Sequence, residues 1–186
     1  STDVEMLYTS PKSVTAKTKE EGLAFVRGLV AAGGTAIEPA LRQALGQKTS
    51  KYQPHQVIFV TDGIPTVGDT QPAEILQMVK AKRSTKTRLL PFCVGFDVNT
   101  PLLDGIGSKS RGRSDYVKPE ENLETAVAAL YQRISSPVLT DIKIDFGKTR
   151  IYDMYPTPIP DLFQGDQIVL FGRYRGDFQG PIKVTG

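Results

Sequence analysis

The chain has 186 residues, 39% of them hydrophobic, with 23 basic against 20 acidic side chains and a formal charge of +3. That length fits one domain of average size with a small appendage and a real core, and the charges are mixed along the chain, so composition offers neither a nucleic-acid nor a membrane surface. No stretch is long and apolar enough to span a membrane, no signal-peptide pattern opens the sequence, and a single cysteine, Cys93, excludes an intrachain disulfide.

Val4 to Tyr8 reads as a short strand closed by the Ser10-Pro11 turn signal. Thr18 is placed to cap a helix from about Lys19 to Ala31, whose Leu23, Phe25, Val26, Leu29 and Val30 share one face. Gly33-Gly34 ends it. Thr35 then precedes Glu38 by three residues, a capping-box spacing in which hydroxyl and carboxylate each satisfy a free backbone N–H. The helix so opened carries Ile37, Ala40, Leu41, Ala44 and Leu45 on one core-facing stripe. A polar link from Gln47 to Pro54 follows.

Val57-Ile58-Phe59-Val60 is an unbroken apolar run, the pattern of a strand buried on both faces of a parallel sheet. It stops at Thr61-Asp62-Gly63, which puts Asp62 at the carboxyl end of the strand, where open α/β sheets bind ligands. The plainer alternative is a strand followed by an Asp-Gly turn. Pro72 opens a helix with Ile75, Leu76 and Val79 on its buried face, ending near Arg83. The basic run Lys80, Lys82, Arg83, Lys86 and Arg88 is expected to be a solvated helix end favoured by the dipole. Leu89 to Phe96 reads as a second buried strand, with Cys93 as a small core residue rather than a nucleophile.

Asn99-Thr100-Pro101 then starts a short helix bearing Leu102, Leu103 and Ile106. Ser114 to Val117 reads as a short strand, and Leu123, Val127, Leu130 and Ile134 mark a last amphipathic helix. This alternation predicts an α/β fold, a Rossmann-like parallel sheet flanked by helices. At Ser136-Pro137 helical patterns give way to strand patterns, Asp141 to Phe146 and Gln167 to Tyr174, with prolines 156, 158 and 160 between them. A boundary is therefore expected near residue 137, dividing residues 1–136 from a β-rich region, 137–186, too small to be stable unless it packs on something.

Chemical motifs are sparse. Gly105-Ile106-Gly107-Ser108-Lys109-Ser110 fails the glycine and lysine spacing of a phosphate loop. His55 has no cysteine or acid at zinc-ligand spacing. No nucleophile-elbow motif supports a Ser-His-Asp triad. Thr35 and Asp62 remain, each placed by a loop at the mouth of the sheet, offering one hydroxyl and one carboxylate. Oxygen donors of this kind suit a hard cation such as Mg²⁺, although two of them alone hold it poorly.

Gly33-Gly34-Thr35 opening an amphipathic helix, then Val57 to Gly63, then Leu90-Pro91-Phe92-Cys93-Val94-Gly95-Phe96, resembles the von Willebrand factor type A domain. The nearest likeness is to inter-alpha-trypsin inhibitor heavy chains and their bacterial counterparts. Asn99 to Leu103 with Ser114 to Val117 resembles a later part of the domain, and Ser136 to Asp141 with Pro158 to Asp166 resembles the region following it. The resemblance implies a metal-ion-dependent adhesion site built from an Asp-x-Ser-x-Ser motif, a loop threonine and a strand-end aspartate. It assigns Thr35 and Asp62 to the second and third parts, with Gly33, Gly34, Gly63, Thr66 and Gly68 shaping the site. The first part does not occur in these residues and is expected upstream of Ser1, so the chain reads as a type A domain lacking its first strand and helix, with an apolar strip and sheet edge left open.

The function implied is a non-enzymatic binding module that presents Mg²⁺ to an acidic group of a protein partner, with little affinity for the ion in this chain by itself. Self-association or docking of a complementary N-terminal piece is a further expectation. An exported or cell-surface setting is implied by resemblance alone. The competing readings are a small hydrolase-like or nucleotide-handling enzyme using Asp62, and a structural scaffold with a vestigial metal site.

Overall fold

A computed structural model describes residues 3–30, 32–47, 55–135, 137–163, 165–178 and 180–186. Expectations for Ala31, Ser136 and residues 48–54 of the polar link lie outside them. The helices and strands in chain order are α1 (Ala16–Gly28), α2 (Ile37–Gly46), β1 (His55–Thr61), α3 (Pro72–Lys82), β2 (Thr87–Val94), α4 (Thr100–Lys109), β3 (Asp115–Val117) and α5 (Leu123–Ser135). Then come only strands: β4 (Pro137–Leu139), β5 (Lys143–Asp145), β6 (Arg150–Tyr155), β7 (Leu162–Phe163), β8 (Phe171–Arg175) and β9 (Lys183–Thr185).

Three parallel strands form the central sheet in the order β1-β2-β3, with Val57 opposite Leu89 and Phe92 opposite Asp115. Parallel strands need covered faces, and the helix stripes supply one cover. Ile37, Leu41 and Leu45 of α2, Ile75 and Val79 of α3, and Leu102, Leu103 and Ile106 of α4 close on Leu89 and Cys93. Across the sheet, Leu130 of α5 packs on Phe92 and Val117. β2 is consequently buried along its length as its apolar sequence predicts. The remaining strands pair antiparallel as β4-β7, β5-β9 and β6-β8.

Several expectations fail. β1 is covered on one face only: Val57 and Phe59 pack on the core, while Ile58 and Val60, in register with Leu90 and Phe92, are 46% and 64% exposed. The reason is that α5 reaches only β2 and β3, and among the described residues no strand pairs with the outer edge of β1. For the same reason α1 buries none of its residues, and Leu23, Val26, Leu29 and Val30 all stay exposed. Thr15 rather than Thr18 is its N-cap; Thr18 is the reciprocal partner in the capping box. Residues 4 to 8 form no strand. The basic run is not uniformly solvated either, because Arg88 at the head of β2 is 3% exposed and bonded to Asp161.

Candidate functional site

Asp62 follows the last residue of β1 directly, and the turn that holds it is local. Thr61 is buried, and its hydroxyl lies 3.4 Å from the N–H and 3.3 Å from the carbonyl of Gly63, so the chain folds back around an exposed Asp62 side chain. Opposite stands Thr35, two residues before the first residue of α2. The predicted capping box does not form: Ala36 is the N-cap, without a side-chain bond, and the buried Glu38 instead meets Arg42 four residues on, at 2.5 Å from its Nε. Thr35 is held from the other side. Its N–H donates to the Thr66 hydroxyl at 2.7 Å, and its carbonyl accepts from Thr66 and Val67 at 2.9 and 3.2 Å.

The glycines explain how two loops come so close. A Cβ on Gly34 would stand 2.6 Å from both Thr66 Oγ1 and Val67 Cγ2. Gly68, at φ +75°, faces the first turn of α2, where a Cβ would lie 2.8 Å from Pro39 Cγ. Gly33 also has a positive φ, 80°, at the approach to Thr35. A Cβ on Gly63 would sit 3.4 Å from Thr35 Oγ1, so the threonine hydroxyl lies beside the turn carrying Asp62. The structure thus gathers every residue named from sequence, Gly33, Gly34, Thr35, Asp62, Gly63, Thr66 and Gly68, at one end of the sheet.

Thr35 and Asp62 both line a cleft of about 660 Å³ between β1 and α1. Its walls include Phe25 from α1, Leu29 and Val30 just beyond its end, and Val60 from β1, together with Asp3 and Glu5. The strand expected over Val4 to Tyr8 points Glu5 away from any site, and nothing local in the sequence marks Asp3, which precedes it. Among the described residues, no three acidic, histidine or cysteine side chains come close enough to hold a metal ion. The donor chemistry of Thr35 and Asp62 suits part of an oxygen shell but not all of it. Cys93, one strand over, offers no nucleophile: burial first, then the charges of Asp104 and Asp115, push its thiol up to about 12.

Residues 1–116 match the von Willebrand factor type A domain, well over half of the chain. The chain belongs to that family. This type A chain is 25% identical over 173 residues to pig inter-alpha-trypsin inhibitor heavy chain H2, covering 87% of the chain and 18% of that protein. Human inter-alpha-trypsin inhibitor heavy chain H4 is 25% identical over 193 residues, covering 100% of the chain and 20% of the relative. A von Willebrand factor A domain-containing protein of Dictyostelium discoideum is 27% identical over 157 residues, 82% of the chain and 18% of that protein. The type A chain therefore spans about a fifth of the length of these curated relatives. A solved von Willebrand factor type A structure from Catenulispora acidiphila superposes with TM-score 0.63 at 17% identity, over 91% of this chain and 42% of that one, and supports the fold.

Proposed function

We propose that this type A domain is a non-enzymatic protein-binding module whose contact end is the carboxyl end of β1. Thr35 and Asp62 would supply a hydroxyl and a carboxylate to a hard divalent cation, Mg²⁺, and an acidic group of a partner protein would complete the shell when the remaining ligands are present. A cation in that place gives a carboxylate-bearing partner a fixed positive centre at the mouth of the cleft. The observation that carries this reading is the rim itself. Loop and strand end are bonded through Thr35 and Thr66, leaving the Thr35 hydroxyl beside Gly63 and the Asp62 side chain exposed. Two donors make a weak site, so this chain binds Mg²⁺ loosely.

A second reading, a scaffold with a vestigial metal site, draws on the lack, among the described residues, of any group of three acidic, histidine or cysteine side chains placed to hold a metal. The exposed strip of Ile58, Val60, Leu23, Val26 and Val30 fits either reading as a contact with a second copy or a complementary segment. Titrating wild-type and Asp62→Ala chains with Mg²⁺ separates the two. A weak response that depends on Asp62 supports the metal-bearing module, and no response supports the scaffold.

A further inference from the structure

We propose that residues 137–186 are latched to the base of the parallel sheet by arginine–aspartate pairs, and that the latch makes the tail and the type A unit one cooperative body. Three arginines from the α/β unit each meet a carboxylate of the tail: Arg88 with Asp161, Arg111 with Asp141, and Arg113 with Asp166 at 3.4 Å. They cluster where β2 begins and where α4 runs into β3, at the opposite end of the sheet from Asp62. The family match stops at residue 116, so nothing in it assigns the tail a place.

The innermost pair is buried on both sides, with the Arg88 and Asp161 side chains 3% and 1% exposed. Its remaining polar atoms are engaged. Arg88 Nη1 donates to the Lys86 carbonyl at 2.9 Å, and Nη2 lies 3.6 Å from Asp141 Oδ1. Asp161 Oδ1 accepts from the backbone N–H of Asp141 at 3.0 Å. A buried pair satisfied in this way holds its place, but removing one partner strands an uncompensated charge. Burial first, and then the Arg111 charge, push the Arg83 guanidinium below its ordinary value. The base of the sheet thus gathers positive charge, which the tail's carboxylates offset.

Arg111 and Arg113 are presented by a fixed loop between α4 and β3. Ser110 is fully buried, and its hydroxyl accepts from the Leu89 N–H at 2.9 Å while lying 2.9 Å from the Gly107 carbonyl of α4. A Cβ on Gly112 would collide with the Leu89 carbonyl, so the Arg111-to-Arg113 loop is pressed against the head of β2. Asp161 N–H reaches the Arg111 carbonyl at 3.4 Å, and the crevice remaining beside Leu90, Arg133 and Phe163 is about 60 Å³. The change of architecture near residue 137 is therefore not a break between independently folding parts.

Hydrogen exchange of the intact 186-residue chain, read by mass spectrometry, tests the latch. In the wild type, peptides covering β7 and the head of β2 open together, at one slow rate. Asp161→Asn accelerates both by the same factor, tenfold or more. Asp153→Asn, whose partner Arg173 is exposed, leaves both unchanged. Where Asp161→Asn does not fold, Asp166→Asn at the exposed rim serves instead, with a shared acceleration of about two- to fivefold. Acceleration confined to β7 in either variant, or a wild-type tail that exchanges fully while β2 stays protected, overturns the latch.

Discussion

The backbone N–H of Thr35 donates to the Thr66 hydroxyl, and the Thr35 carbonyl accepts from the Thr66 N–H in return. Two residues separated by 31 positions thereby join the loop before α2 to the loop after β1. One rim results, and it holds the Thr35 side chain toward the cleft that Asp62 also lines. That reciprocal contact is what brings two separate sequence motifs onto one rim.

Substitutions at this contact should loosen the rim. Thr66→Val removes the acceptor for the Thr35 N–H and is expected to cost about 0.5–1 kcal/mol, a partly solvated hydrogen bond. Gly34→Ala drives a methyl against Thr66 and Val67 and is expected to cost more, about 1–3 kcal/mol. Urea unfolding midpoints measure both. A Gly34→Ala chain as stable as wild type would show that the two loops are not in contact.

Cys93 should be inert. With its thiol pushed up to about 12 by burial and by Asp104 and Asp115, the folded chain is predicted to resist maleimide labelling at pH 8 and to label at once in denaturant. The sign for stability follows from the same shift. The folded state favours the neutral thiol, so its contribution is complete below the unfolded value, 9.0, and is lost as pH rises through about 12. Rapid labelling of folded protein at pH 8 contradicts the burial.

Much of this architecture was legible in the sequence. The α2 stripe of Ile37, Leu41 and Leu45 and the apolar run of β2 fixed their own burial, because each meets a covering partner within the chain. α1 shows the limit: its apolar face is equally clear in sequence, yet it stays exposed, since periodicity says which face is apolar and not whether anything covers it. Thr35 and Glu38 have the spacing of a capping box, but the carboxylate goes to Arg42 and the threonine backbone to the β1–α3 loop, a tertiary competition no local pattern records. Arg88 was lost in a basic run because its partner, Asp161, lies 73 residues away. Thr35 and Asp62 stand out in the sequence as two oxygen donors at the mouth of the sheet, the resemblance assigns them to one metal site, and both line a common cleft.

The bare face of β1 should govern association. Wild-type chain is expected to scatter light as more than a monomer at micromolar concentration, or to bind a hydrophobic dye. The Ile58→Thr/Val60→Thr double variant should reduce either signal while shifting stability by only about 0.5 kcal/mol per site, because both side chains already face solvent. A wild-type chain that is a compact monomer with no dye binding would mean that the strip is covered in solution.

Mg²⁺ titration of the isotope-labelled chain, followed by amide NMR, tests the proposed site most directly. The account predicts millimolar, saturable shifts concentrated at Thr35, Gly63 and Thr66, absent in Asp62→Ala although that variant remains folded. No Mg²⁺-dependent shift, or a response that Asp62→Ala leaves intact, would contradict Thr35 and Asp62 as the cation-bearing pair. Micromolar affinity would contradict the claim that these two oxygens are only part of a shell.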